Sequence, residues 1–196
     1  MVISSERHTR ILDAATALFA KFGFRKTSID EIAQEAGVGK GTVYLVCESK
    51  EDLFYQVVHR ELRAWVAEVS KMMDPRLPAD QLLLNCSFQA YAWVSQRPLV
   101  RDLIIGNHEE VLPLWTERLE DLRSIGRANT EEILRIGIRQ GIFREGLDVP
   151  SVARILQDMH AASVLLGLRS SRPLDEQMAL SRVALDLLLN GLLSRA

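Results

Sequence analysis

The residues best equipped for chemistry gather in Gly37-Val38-Gly39-Lys40-Gly41-Thr42, where a lysine and a hydroxyl stand among three glycines. Glycine exposes backbone N–H groups and lysine supplies positive charge, so the segment suggests phosphate binding. Two phosphate-binding patterns fail on spacing. A nucleoside-triphosphate loop needs GxxxxGK followed by Ser or Thr, but Gly41 follows Lys40 and Gln34 stands where the first glycine belongs. A dinucleotide fingerprint needs a preceding strand, and the residues before Gly37 read as a capped helix. The segment lies instead in a helix, tight glycine turn and short helix over residues 28–45, the pattern of a helix–turn–helix whose second helix enters a DNA groove. Lys40, Gly41 and Thr42 fall in the first turn of a short helix and are small or polar enough to lie against a groove. Tyr44 and Lys50 follow, offering an O–H and an ammonium to phosphate oxygens. From spacing alone, an ordinary glycine-rich turn between helices is the alternative.

No other group of residues points to catalysis. His8, His59, His108 and His160 are scattered, and His108-Glu109-Glu110 is not the HExxH zinc pattern. Cys47 and Cys86 make no CxxC pair, and there is no GxSxG elbow. The expectation is a protein that is not an enzyme, with no metal and no cofactor. Cys47 reads as a small packing residue.

The elements that must position these residues are helical. Ile11, Leu12, Ala15, Leu18, Phe19 and Phe22 form one stripe of a first helix that ends at Gly23. Ser28 and Glu31 have the spacing of a capping box, opening a second helix with Ile29, Ile32, Ala33 and Ala36 inward. Gly37 allows a sharp turn, and a very short helix follows from about Lys40 to Leu45. Ser49 and Asp52 repeat the box and open a long fourth helix through about Lys71, with Leu53, Phe54, Val57, Val58, Leu62 and Trp65 on its stripe. Beyond the break at Met72–Pro78, prolines punctuate further helices at roughly 79–96, 99–107, 110–140, 150–169 and 174–194. The fold class is all-α, about nine helices. Residues 1–50 form a three-helix unit, in which 28–45 has the helix–turn–helix pattern, and residues 51–196 form a helical bundle.

Composition fits a globular protein, with 47% hydrophobic and 26% charged residues and a net charge of −2. Residues 1–50 carry seven Lys or Arg against six Asp or Glu, so placement rather than total charge must identify a partner. No apolar run reaches a membrane span, the start has no signal-like core, and two cysteines give no disulfide framework. A cytoplasmic protein with no membrane partner is expected.

Thr27-Ser28-Ile29-Asp30-Glu31-Ile32-Ala33-Gln34-Glu35-Ala36-Gly37-Val38-Gly39-Lys40-Gly41-Thr42-Val43-Tyr44, followed by Ser49-Lys50-Glu51-Asp52-Leu53, resembles the N-terminal signature of TetR-type transcriptional repressors. The likeness covers about residues 9–55. It implies a homodimer on a roughly palindromic double-stranded operator, released when a small molecule enters the C-terminal bundle. It also implies that Thr27, Thr42, Tyr44 and Lys50 contact phosphates or groove edges, with Lys40 and Gly41 close to the DNA. Three positions depart from the family pattern. Gly39 replaces the usual capping Ser, and Val46 and Cys47 stand where His or Tyr and then Phe are usual. A helical adaptor protein without ligand-controlled DNA binding is the rival class.

The C-terminal part offers two kinds of surface. Ala153, Ala161, Ala162, Ser163 and Gly167, with Leu180, Val183, Ala184, Leu187, Leu188 and Gly191, suit two helices per subunit pairing with a second copy. Ordinary intra-chain core is the alternative. Candidates for binding an apolar or aromatic effector are Phe88, Tyr91, Trp93, His108, Trp115, Met159 and His160.

Overall fold

Capping residues set where the helices start. The Ser4 hydroxyl accepts the Arg7 N–H at 3.4 Å and opens α1, Ser5–Lys26. Ser28 opens α2, Ile29–Glu35, by the full reciprocal box: its hydroxyl accepts the Glu31 N–H at 3.2 Å, and the Glu31 carboxylate accepts the Ser28 N–H at 2.8 Å. After α3, Lys40–Val43, the Ser49 hydroxyl accepts the Asp52 N–H at 3.1 Å and α4 runs Lys50–Met72. Here the box is shifted by one residue, because the Asp52 carboxylate takes the Glu48 N–H at 3.1 Å. The remaining helices are α5 (Ala79–Ser95), α6 (Pro98–Ile104), α7 (Thr116–Arg139), α8 (Val149–Arg169) and α9 (Leu174–Leu192). This computed structural model describes residues 4–104, 116–170 and 173–192, and among them the chain is all-α with nine helices and no strand. None of those helices is long and apolar enough to cross a membrane.

The chain forms two compact units. The first contains residues up to Arg63 and resumes at Arg97, so among the described residues it holds α1, α2, α3, most of α4 and α6. Its centre is a ring cluster. Phe54 of α4 meets Phe19 edge-on with centroids 4.9 Å apart and Phe24 at 5.2 Å. Leu53, Val57 and Val58 are fully buried on the same α4 stripe, as are Ile11, Ala15 and Ile32 from the other helices. The expected α1 stripe fails at its end: Phe22 is 47% exposed, and Phe24 is buried instead. The reason is Gly23, whose φ of 79° and ψ of 168° break the helix and swing the next residue inward. Only glycine adopts that backbone region without strain.

Two ion pairs tie α4 into this unit through neighbouring residues. Arg60 Nη1 lies 2.7 Å from Asp13 of α1, and Nη2 donates to Thr16 Oγ1 at 2.9 Å. Glu61 takes Arg97, just before α6, at 3.0 Å, and α6 itself packs on α1.

The second unit is built around α5, with α8 and α9 packed against it. Ala79, Leu82, Ile133, Leu134, Phe143 and Ala153 are all but completely buried in its core. Gly137 is required by packing: a Cβ there would lie 2.1 Å from the Phe143 ring. Gln140, just after α7, fastens the turn before α5, accepting the Ala79 N–H at 3.0 Å and donating to the Pro75 and Leu77 carbonyls at 3.1 and 2.9 Å.

Candidate nucleic-acid interface

The turn between α2 and α3 is closed by Gly37. Its N–H donates to Gln34 O at 3.1 Å and the Val38 N–H to Ala33 O at 2.9 Å, the paired bonds of a Schellman end. That end needs a left-handed residue, and Gly37 supplies it with φ of 63°. Val43 is fully buried and anchors α3. The opposite side of the short helix is open: Lys40 and Gly41 are exposed, and Tyr44 and Leu45 are each 49% exposed. Thr42 is half-buried beside them. Gly39 begins α3 with no side-chain cap, as expected where serine is absent.

Glycine at position 41 is not imposed by the chain's own packing. A Cβ added there would meet nothing within 4 Å, and its φ is not positive. Glycine in a helix costs about 1 kcal/mol relative to alanine. What glycine leaves at that position is a bare backbone on the open side of α3.

Lys40 is already engaged. Its Nζ lies 2.8 Å from Asp30 Oδ2 on α2, both side chains more than half exposed. The hydrogen bond and the charge of Asp30 hold the ammonium above its ordinary pKa, so it is cationic throughout the physiological range. The Glu31 carboxyl is held below its ordinary range by the Ser28 hydroxyl and N–H.

Thr27 corrects an expectation drawn from the family signature. It is only 2% exposed, and its hydroxyl donates to Gly23 O at 2.8 Å, with Leu18 O at 3.3 Å. The side chain closes the end of α1 and has no surface to offer a groove. Lys50 also has an internal role. Its Nζ donates to Phe24 O at 3.0 Å and Thr27 O at 3.1 Å and lies 4.3 Å from the centre of the Phe24 ring. Two of its three N–H donors thus satisfy carbonyls at the end of α1. Lys50→Met keeps the alkyl stem and removes those bonds, so thermal unfolding is expected to show a loss of about 1–3 kcal/mol. An unchanged melting curve would mean that water satisfies both carbonyls.

Cys47 is 4% exposed and lies 3.5 Å, through Sγ, from Val43 O. Burial, with a smaller contribution from Asp52, pushes its thiol up to about 11. Such a thiol holds little thiolate at neutral pH and acts as packing beneath α3.

The effector candidates separate. Tyr91 and Trp93 of α5 are buried, and Trp93 packs on Trp65 of α4 with centroids 5.4 Å apart. Burial raises the Tyr91 phenol above its ordinary pKa. Phe88 is half-buried one turn from Tyr91, and burial lowers the His160 imidazole, favouring its neutral form. Met159 does not belong with them: it is 43% exposed, because its position on α8 shares a stripe with Ile155 (54%) and Leu166 (66%) rather than with the core residues Ala153, Leu156 and Val164. His108 and Trp115 lie outside the described residues. Trp65 was legible only as an apolar stripe position, and nothing in its spacing revealed its pairing with Trp93.

A second outward stripe occurs on α9, where Leu180, Val183 and Leu187 are 45%, 58% and 70% exposed. Leu188, next to Leu187, packs instead on the second unit's core.

Residues 11–57 match the family described as bacterial regulatory proteins, tetR family. The chain is 26% identical over 190 residues to the fatty acid metabolism regulator protein of Bacillus subtilis, covering 95% of each chain. It is 28% identical over 167 residues to the transcriptional repressor KstR2 of Mycobacterium tuberculosis strain H37Rv, covering 82% of this chain and 80% of that protein. Its fold resembles that of B. subtilis FadR solved with stearoyl-CoA, with a TM-score of 0.69 and 22% identity, covering 94% of this chain and 98% of that one. Residues 11–57, with their helix–turn–helix, are thus a reader of the tetR family of bacterial regulatory proteins, and the chain that carries it is similar along most of its length to DNA-binding transcriptional regulators.

Proposed function

We propose that this regulator is a homodimeric repressor that leaves a roughly palindromic operator when a largely apolar small molecule occupies its second unit. The observation that carries the reading is the pairing of two open surfaces. One is the bare side of α3, which presents Lys40 beside its Asp30 partner; the other is the apolar stripes of α8 and α9, which in a lone chain would face water. Lys40, Gly41, Thr42 and Tyr44 approach the groove. Lys50 reaches a phosphate with its third donor while holding α1 with the other two. Two recognition helices then read half-sites one or more turns apart, at roughly 34–36 Å per turn.

For release, α4 is the connecting element, since it supplies residues to the first unit through Arg63 and to the second from Ala64. An effector among Phe88, Tyr91, Trp93, Trp65 and His160 tilts it, and the recognition helices lose their match to successive major grooves. The names of the relatives support an acyl thioester or a similarly apolar effector, and the word repressor in one of them supports the direction of control. The test is a titration of stearoyl-CoA, and of the free fatty acid, followed by tryptophan fluorescence with and without the DNA upstream of the protein's own gene. DNA is expected to weaken effector binding by the same factor by which effector weakens DNA binding, about 1–3 kcal/mol of coupling. Equal effector affinity in both titrations would sink the release mechanism.

A further inference from the structure

We infer that Asp30 is a specificity-determining residue of the DNA interface: its carboxylate occupies the Lys40 ammonium against the phosphates of any sequence, while a matching site adds base-edge acceptors to the same ammonium. The inference rests on the placement of Lys40 against DNA. Asp30 stands in the first turn of α2, where Glu31 and Ser28 already provide the cap, so the fold does not depend on Asp30 for that task. Its carboxylate meets Lys40, ten residues later and across the Gly37 turn, at 2.8 Å. Both groups are more than half exposed, and such a pair adds little to stability. A carboxylate that holds a groove-reading lysine also offsets the charge the lysine would offer a phosphate. Its position therefore weakens what Lys40 can offer DNA, and its return to folding is confined to a first-turn charge on α2 and an exposed ion pair, both small.

Its benefit is discrimination. A lysine without an internal partner neutralises any phosphate it meets and releases a counterion, so it strengthens binding to every sequence. Lys40 is already neutralised. On random DNA it exchanges one anion for another and gains little. At a matching site the same ammonium meets acceptors on a base edge, such as guanine O6 and N7, which add to what Asp30 supplies because the group has three donors. Asp30 therefore lowers affinity for random sequence more than for the matched one.

The experiment uses the full-length protein and two duplexes, one of random sequence and one selected from a random library by the wild-type protein. Asp30→Asn is expected to bind the random duplex about 3–10-fold more tightly and to steepen the slope of log affinity on log salt by about one unit. The matched duplex is expected to change less than twofold, so that the ratio between the two falls. In a Lys40→Ala background Asp30→Asn is expected to change neither affinity. An equal gain on both duplexes, a gain that persists without Lys40, or no gain at all overturns the inference. Asp30→Ser serves as a second variant, and matching melting curves exclude a folding effect in either. The underlying placement is judged separately: if Lys40→Ala alone alters neither affinity, Lys40 is not at the DNA.

Discussion

Leu187→Asp combined with Leu166→Asp is expected to yield a folded monomer that has lost about 10²–10⁴-fold in affinity for its operator. The two leucines are the most exposed large apolar residues described, at 70% and 66%, so neither substitution disturbs the core of its own subunit. In a homodimer built on α8 and α9, each places a carboxylate in an apolar interface, where it must lose its water without a partner. The association then fails. Operator affinity falls because the second recognition helix no longer arrives at high effective concentration, whereas the contacts of one half-site remain. Light scattering gives the mass and a gel shift gives the affinity. A double mutant that stays dimeric would remove these stripes from the interface.

The second large effect is on folding. Phe54→Ala is expected to cost about 3–5 kcal/mol, the usual range for removing a fully buried aromatic ring. Phe54 is 0% exposed and touches both Phe19 and Phe24, so its removal leaves a cavity under the end of α1. Against a typical total stability of about 5–15 kcal/mol, that is a large share. The second unit has its own core around Leu82, Leu134 and Phe143, and is expected to retain its helices. Chemical denaturation followed by circular dichroism should therefore split into two transitions, the earlier one removing DNA binding. A single transition at the wild-type midpoint would contradict this account of the ring cluster.

Much of the architecture was legible because helix boundaries depend on local chemistry. Ser28 with Glu31 and the turn at Gly37 act through bonds to residues three to five positions away, which a sequence displays directly. Orientation was less legible. Thr27 has the right type for a phosphate contact, but one rotated backbone at Gly23 turns its hydroxyl into α1. The same rotation exchanges Phe22 for Phe24 in the core. Lys50 could not be distinguished from a free surface lysine, because its carbonyl partners lie 23 and 26 residues earlier. The Asp30–Lys40 pair crosses a turn, so no helical spacing rule announces it. Met159 was named as an effector candidate by residue type; in α8 it takes its place from the exposed stripe it shares with Ile155 and Leu166.

The first unit is discontinuous along the chain, resuming at Arg97 after a long excursion. Its chain order therefore differs from its assembly order. An N-terminal fragment cut at the end of α4 would carry Glu61 without Arg97 and α1 without the α6 surface that covers it. A chimera that grafts this reader onto another bundle has to import α6 as well, or supply an equivalent helix from the host. Helices α2 and α3 can be transplanted together, but the reader's structural integrity depends on a segment encoded more than thirty residues after the unit first breaks off at Arg63.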